Sequence, residues 1–298
     1  MVGTPEETDH PVTKILVIGA GGMLGTDVMR TLSSFDPRGM THADLDIREA
    51  LDVEAAVAGC DVVVNTAAYT RVDDAERHSE LAFAINAQGA GNIARAAHTA
   101  NARLIHVSTD YVFEGNASIP YAENAPTNPL SVYGASKLAG DEAVQEEHGD
   151  LSTILRTSWL YGENGSSFPR TMLRLGQENP TVTVVEDQRG QPTWTMDVAR
   201  MIKNLIESSI PSGMFHATNS GHTSWFLFAQ LLFERAGWDP ERVLATQSVD
   251  FPRPAPRPAW SVLGHAHWHE ASLPLPRPWE SAFGEAWESF IQQWTKES

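Results

Sequence analysis

The sequence predicts an α/β chain, with a doubly wound parallel sheet and a smaller, irregular C-terminal lobe. Three observations carry this. Strand-length apolar runs alternate with longer helical patterns up to residue 158. A glycine-rich turn follows the first run directly. Beyond residue 158 the alternation gives way to frequent glycine, proline and tryptophan. Short runs that are apolar on both faces, separated by helices, mark parallel strands covered on two sides.

The elements follow in order. Residues 1–12 (MVGTPEETDHPV) are polar and acid-rich, lack the basic and apolar regions of a secretion signal, and read as a disordered leader. Strands are expected at 14–19, 39–42, 61–66, 103–108, 152–157 and 214–217. Helical spacing occupies 25–34, 50–57, 80–100 and 133–147. Right-handed crossovers wind such strands into a two-faced layer. Later, the strand-like run TVTVV (181–185) precedes the loop DQRGQPT (187–193). A helix is expected from Ser224 to its stop at Gly237. Prolines at 252–258 and 274–278 interrupt regular structure, and no internal repeat is visible.

Among 298 residues, 21 are Lys or Arg and 38 are Asp or Glu, a formal charge of −17. Such a field repels phosphate backbones and anionic bilayers, which argues against nucleic-acid and membrane partners. No apolar run approaches the ~20 residues of a membrane span. The one cysteine, Cys60, excludes an intrachain disulfide and suits a reducing compartment, so a soluble, cytoplasmic protein is expected. Cys60 itself reads as a small buried apolar residue. A homodimer is compatible with the sequence.

The first strand runs into Gly19-Ala20-Gly21-Gly22-Met23-Leu24-Gly25 and then a helix. Glycines there permit positive φ and close backbone approach, and the free N–H groups of a helix start bind a diphosphate. The spacing Gly19-x-x-Gly22-x-x-Gly25 differs from a strict G-x-G-x-x-G, but the strand–turn–helix context is the one the motif requires. Gly19, Gly21, Gly22, Met23, Leu24 and Gly25 are therefore candidate cofactor contacts. The second strand ends near Thr41-His42 with no acid to bond a ribose 2′-OH, and Arg38 is close by. That tolerates NADPH, with NADH as the alternative. Asp46 and Ile47 are placed to bracket an adenine, although Asp46 also reads as a helix cap. The pattern assigns 13–158 and 195–220 to an NAD(P)-binding domain, and 159–194 and 221–298 to a substrate-binding lobe.

Tyr133 and Lys137 stand four residues apart, on one helical face. A free phenol, with pKa about 10, is a poor acid–base group at neutral pH; an ammonium one turn away would lower that value. The fourth strand ends in Ser108-Thr109-Asp110, where doubly wound folds carry their active groups, so Thr109 can bond a substrate carbonyl while Tyr133 donates the proton. Thr109, Tyr133 and Lys137 are the candidate catalytic set.

These residues carry a resemblance. VIGAGGMLG, Tyr133-x-x-x-Lys137 and the hydroxyl-bearing strand end resemble the extended short-chain dehydrogenase/reductases. NTAAYTRVDDAE (65–76), STDYVFEG (108–115), PLSVYGASKLAGDE (129–142), RTSWLYG (156–162), DQRGQPTW (187–194) and RPAWSVLG (257–264) resemble, in family order, the dTDP-4-dehydrorhamnose reductases. The resemblance implies a Rossmann domain and NAD(P)H-dependent reduction of the C4 keto group of a dTDP-4-keto-6-deoxyhexose, giving dTDP-L-rhamnose. It places Ala67, Ala68 and Tyr69 at the cofactor, with Tyr133 and Lys137. Asp110, Tyr111 and Trp159, with Thr109, would lie along the sugar; Gln188, Arg257 and Ser261 would help hold the nucleotide. Two other readings stay open: a non-catalytic NADP-binding regulatory subunit like that of methionine adenosyltransferase, and a sugar-nucleotide epimerase or dehydratase of the same fold.

Two positions depart from the family pattern. Gly264 stands where the RPxxSxL block ends in an acid, and the helix start at Ser224 lacks the glutamate of a capping box. His265, His267 and His269 read as a histidine-rich surface turn, and no metal is expected. Tryptophans 225, 238, 268, 279, 287 and 294 read as packing of the small lobe.

Overall fold

Six short strands, most of them apolar on both faces, make one parallel sheet. They are β1 (Ile15–Ile18), β2 (Arg38–Met40), β3 (Val62–Asn65), β4 (Arg103–Thr109), β5 (Ser152–Thr157) and β6 (Gly213–His216). This computed structural model describes residues 13–295 except 209 and 211, so the leader expected over 1–12 lies outside the described residues. The sheet order is β6-β5-β4-β3-β1-β2. The chain leaves β1 for β2 on one side and returns to β3 on the other, so the winding reverses between β1 and β3. At that reversal Ile18 pairs with both Met40 and Asn65. Ligands bind at such reversals, beyond the carboxyl ends of the strands.

Period-two alternation sorts the strand side chains. Ile15, Val17, Val62, Val64 and Ile105 pack one face with α1 (Met23–Thr31). Leu16, Ile18, Val63 and Leu104 pack the other with α2 (Ala50–Val57). The helical pattern expected over 80–100 is divided. After the short α3 (Val72–Ala75), it comprises α4 (Ser79–Phe83), a π-helical turn (Ala84–Gly89) and α5 (Ala90–Ala100). The π turn lets the chain approach α6 (Val132–His148) closely: a Cβ on Gly140 would stand 2.1 Å from the Asn86 carbonyl.

Beyond β5 the chain builds a second core. It contains α7 (Phe168–Glu178), then α8 (Thr195–Glu207), which returns to cover the sheet, and α9 (Trp225–Arg235). The helices α10 (Ala266–Glu270) and α11 (Trp279–Ala286) follow. Ser224 caps α9 by accepting from the Leu227 N–H at 3.2 Å, and Gly237 leaves it at φ +75°. Thr181 lies outside the strand expected at 181–185; Val182–Val185 pairs in parallel with Val243–Thr246. Tyr161, Phe228, Phe283, Trp279, Trp287 and Trp294 fill this second core. Trp268 is an exception: it packs into the sheet's core with its indole N–H donating to the His216 carbonyl. Cys60 is buried as expected. Among the described residues no helix is long and apolar enough to cross a membrane.

Candidate active site

The glycine turn lies at the β1–β3 reversal. Gly19 has φ +85°, and a Cβ there would stand 2.7 Å from the Ala67 nitrogen. Gly25 packs α1 onto the turn so tightly that a Cβ would meet the Gly19 carbonyl at 2.1 Å. Gly21 and Gly22 are exposed. Gly22 is the N-cap of α1 but brings no side chain to it, and the first turn holds no acid. The opening N–H groups, around Met23, are therefore uncapped, and this cradle fits a diphosphate. Leu24 and Gly25 face inward.

Asp46, expected to bracket an adenine, is clasped by Arg48, whose hydrogen bonds hold its carboxyl down to about 2. It is not a helix cap: Glu49 occupies the N-cap of α2. Ile47 is buried against the Gly89 turn. Arg38, expected near the ribose, stands at the start of β2 and donates instead to the Ala56 carbonyl at the end of α2. What adjoins the glycine turn is Thr41, 3.2 Å from where a Gly21 Cβ would stand. The nearby Asp44 carboxylate is occupied by the Thr41 N–H and hydroxyl, at 2.9 and 2.6 Å.

β4 and α6 bring the candidate catalytic groups together. Ser131 caps α6 by accepting from the Gly134 N–H, and Glu76 accepts the Val132 N–H at 2.9 Å, so the turn bearing Tyr133 is held from two sides. Burial pushes the Tyr133 phenol up to about 12, against a hydrogen bond with Thr109 that favours the phenolate. Lys137 is 2% exposed; its Nζ donates to the Val107 carbonyl at 2.8 Å and stands 3.4 Å from His106 Nε2. Burial pulls Lys137 down to about 8, opposed by Asp141. The lowered phenol expected from the Tyr–Lys pair is thus not present, because desolvation dominates and the ammonium is drawn toward β4.

His106 has a defined tautomer. The Ala67 N–H donates to Asn65 Oδ1 (3.0 Å), which orients the amide, so Asn65 Nδ2 donates to His106 Nδ1 (3.0 Å). The ring proton therefore sits on Nε2, on the side of the Asp141 carboxylate 3.9 Å away, beside the Lys137 ammonium that donates to Val107. Burial and the neighbouring Lys137 keep this imidazole well below its usual value, hence neutral.

Asp110 is buried, with Oδ1 accepting from the Thr109 hydroxyl at 3.0 Å. Its Oδ2 makes no well-aligned hydrogen bond, although the Ser261 hydroxyl adjoins it. Burial lifts this carboxyl to about 7. The Tyr111 ring meets Tyr133 edge-on, centroids 5.5 Å apart, and the Arg257 guanidinium lies 6.0 Å from the Tyr111 ring centre. Thr109, Asp110, Tyr111, Tyr133, Arg257 and Ser261 are thereby in one cluster. Trp159 follows β5, whose Thr157 pairs with Thr109. It adopts φ +46° and stacks on Trp225 with centroids 3.4 Å apart; a Cβ at Gly190 would collide with its ring. Gln188 lies farther along this lobe, its amide donating to Ser248 at 2.9 Å.

Ala67, Ala68 and Tyr69 follow β3. Asn86 binds both the N–H and the carbonyl of Tyr69 and donates to Ser136 of α6 (2.9 Å). Sequence reasoning missed Asn86 and Glu76. The only signal was that Glu76 closes the quoted 65–76 block. Gly264, the departure from the family pattern, takes His216 Nδ1 on its carbonyl and pairs with the Tyr121 carbonyl. His265 and His267 are not in a surface turn. They engage Thr218 and the Met214 carbonyl around the short helix α10, and they diverge.

Fold and site together define an extended short-chain dehydrogenase/reductase: a doubly wound sheet, an open glycine turn at its reversal, and a Thr, Tyr-x-x-x-Lys cluster at the strand ends. The chain belongs to the family described as RmlD substrate binding domain, whose model matches residues 13–291. It is 43% identical over 288 residues to a dTDP-4-dehydrorhamnose reductase of Streptomyces griseus, covering 93% of this chain and 94% of that one. It is 42% identical over 275 residues to a dTDP-4-keto-6-deoxy-D-glucose reductase of Streptomyces niveus, covering 91% and 95%. A solved dTDP-4-dehydrorhamnose reductase of Bacillus anthracis, in complex with NADP, superposes with TM-score 0.88 at 36% identity, covering 93% and 99%.

Proposed function

We propose that this protein reduces the C4 keto group of a dTDP-4-keto-6-deoxyhexose with NADPH, giving dTDP-L-rhamnose from dTDP-4-dehydrorhamnose. The observation that carries this reading is the Tyr133 phenol, buried beside the Thr109 hydroxyl at the carboxyl edge of the sheet and one helical turn from buried Lys137. NADPH, when bound, supplies the hydride for the carbonyl carbon. The glycine turn 19–25 holds its diphosphate, and Ala67 to Tyr69 border it. The engagement of the Asp44 carboxylate by Thr41 supports NADPH, with NADH as the less favoured donor.

The chain's own groups manage the oxygen. The Thr109 hydroxyl, turning from Asp110, and the Tyr133 hydroxyl donate hydrogen bonds to the C4 carbonyl, and Tyr133 gives it a proton as negative charge develops. The phenol's raised pKa disfavours a standing phenolate, so Tyr133 enters the reaction as an acid. Lys137 stabilises the phenolate left behind and binds the nicotinamide ribose. Asp110, Tyr111 and Trp159 line the sugar, and Gln188, Arg257 and Ser261 hold the nucleotide. A guanidinium suits a diphosphate because its planar fork makes paired, charge-assisted bonds. A dehydratase would need an acid–base pair directly after the threonine; here Asp110 is followed by Tyr111.

The test is NADPH oxidation with and without the keto sugar. Turnover that requires the sugar is expected, and Tyr133→Phe should lower kcat by about 10²–10⁴-fold with cofactor affinity unchanged. Near-normal turnover by that variant would remove Tyr133 from the role; binding of NADPH without turnover on any 4-keto sugar would instead point to a regulatory subunit. Relatives of almost equal similarity differ in the sugar their names carry, so product stereochemistry at C4 is part of the assay. A cytoplasmic homodimer is the setting in which we expect this activity.

A further inference from the structure

The acidic turn after the cofactor border, Arg71-Val72-Asp73-Asp74-Ala75-Glu76, has no role in the chemistry above. Its three carboxylates nevertheless point to three different parts of the site. Glu76 holds the start of α6, and Asp74 accepts the Tyr69 phenol at 2.8 Å. Asp73 reaches across to the proline-rich segment 252–258. Its Oδ2 accepts from Arg253 Nε and Nη2, at 3.1 and 2.5 Å. Its Oδ1 takes the Ala255 N–H at 3.3 Å and stands 2.9 Å from Arg257 Nη2.

Arg257 is therefore fixed at two points, since Nη1 donates to the Ala255 carbonyl at 2.9 Å. Its side chain is 17% exposed, whereas that of Arg253 is 49% exposed. A guanidinium has five N–H donors, so most of the fork remains available to a ligand. The segment is also pinned beyond Arg257: the Trp260 N–H donates to the Gly115 carbonyl, and a Cβ on Gly115 would strike Pro258 at 2.4 Å. Between these anchors, prolines at 252, 254, 256 and 258 leave few backbone donors, so the segment cannot hold itself by regular pairing. The Asp73 carboxylate supplies what the prolines remove.

We propose that Asp73 is the positioning residue for Arg257: it seats the guanidinium over the Tyr111 ring before any ligand arrives, and so sets affinity for the diphosphate of the substrate. This rests on the reading that Arg257 meets that diphosphate. An arginine already seated loses less side-chain freedom on binding, which is where the affinity comes from. Because Asp73 follows the cofactor-bordering stretch in the chain, it places the sugar-nucleotide arginine from the cofactor side of the crevice.

The experiment measures dTDP binding by calorimetry, with KM and kcat for the keto sugar, in Asp73→Asn, Arg257→Ala, their double variant and Arg253→Gln. Hydrogen exchange of residues 252–261 in the ligand-free proteins reports the seat directly. Asp73→Asn should weaken dTDP about tenfold, roughly one charge-assisted contact. KM should rise in step, kcat should stay within about threefold, and NADPH affinity should not change. Exchange in 252–261 should accelerate. The double variant should bind dTDP no worse than Arg257→Ala, and Arg253→Gln should be close to wild type. Asp73→Glu, which keeps the charge, should recover part of the loss. If Arg257→Ala weakens dTDP but Asp73→Asn leaves it unchanged or tighter, the seat is overturned and the functional reading stands. If Arg257→Ala itself has no effect, the nucleotide is held elsewhere, and both the seat and the assignment of Arg257 to the diphosphate fall.

Discussion

Burial lifts the Asp110 carboxyl to about 7 from an ordinary 3.8, and a side chain held this way opposes folding while it awaits a ligand. The folded protein keeps a proton that the unfolded chain releases between about pH 4 and pH 7. The contribution of Asp110 to stability therefore falls as pH rises through that window, and above it the penalty is constant. Asp110→Asn should raise the melting temperature at pH 8, by on the order of a few kcal/mol in stability, with the gain vanishing near pH 4. Sugar affinity should fall in the same variant. Equal melting temperatures at pH 8 would show that the carboxyl is better solvated than its burial indicates. At this scale Thr109, Tyr133 and Lys137 were legible in the sequence because their grouping depends on one helix turn and one strand end. Asp73, Asn86 and Glu76 were not. They have partners 50, 56 and 180 residues away, and only the folded chain brings those within reach.

Strands and helices were read well where local pattern decides them. All six sheet strands fall within a residue or two of their expected positions, and 50–57 is reproduced as a helix. The single helix expected over 80–100 was not, since the π turn answers to close packing against Gly140 rather than to apolar spacing. Arg38, expected close to the ribose, lies at the start of β2, and its guanidinium turns back to the end of α2, a long-range contact that local pattern does not show. The start of α9 shows how an incomplete signal is still used. Ser224 supplies its half of the capping box, while Leu227, at the third helical position, is 48% exposed and returns nothing. Leu227→Glu should complete the box and stabilise the protein by about 0.5–1 kcal/mol, read as a rise in melting temperature with kcat unchanged. A lower melting temperature would mean that the leucine packs more than its exposure suggests.

For the molecule as a whole, the joint between the sheet layer and the second core is polar. Arg277 clasps Asp197 of α8 through Nε and Nη2 at 2.8 and 2.9 Å, and donates to Glu285 of α11 through Nη1 at 2.5 Å. Asn219 donates to the same Asp197 at 2.7 Å. Arg277→Ala strips a nearly buried carboxylate of its main partner, although Arg200 still pairs with it at 2.9 Å. A loss of about 1–3 kcal/mol is expected, with the calorimetric transition broadening as the second core melts ahead of the sheet. A single sharp transition at the original temperature would place the coupling in the apolar contacts instead. The net charge of −17 argues only against polyanionic partners. The uncapped start of α1 and the seated Arg257 suit anions within an acidic molecule, and overall charge could not reveal such local reversals. The reversal of winding between β1 and β3 has a consequence for substitution. The crevice there is a product of chain path, common to any sequence that keeps the sheet order, whereas Trp159, Arg257 and Ser261 arrive on segments outside that path. Substitutions on those segments can therefore reshape the rim without altering the turn at the reversal.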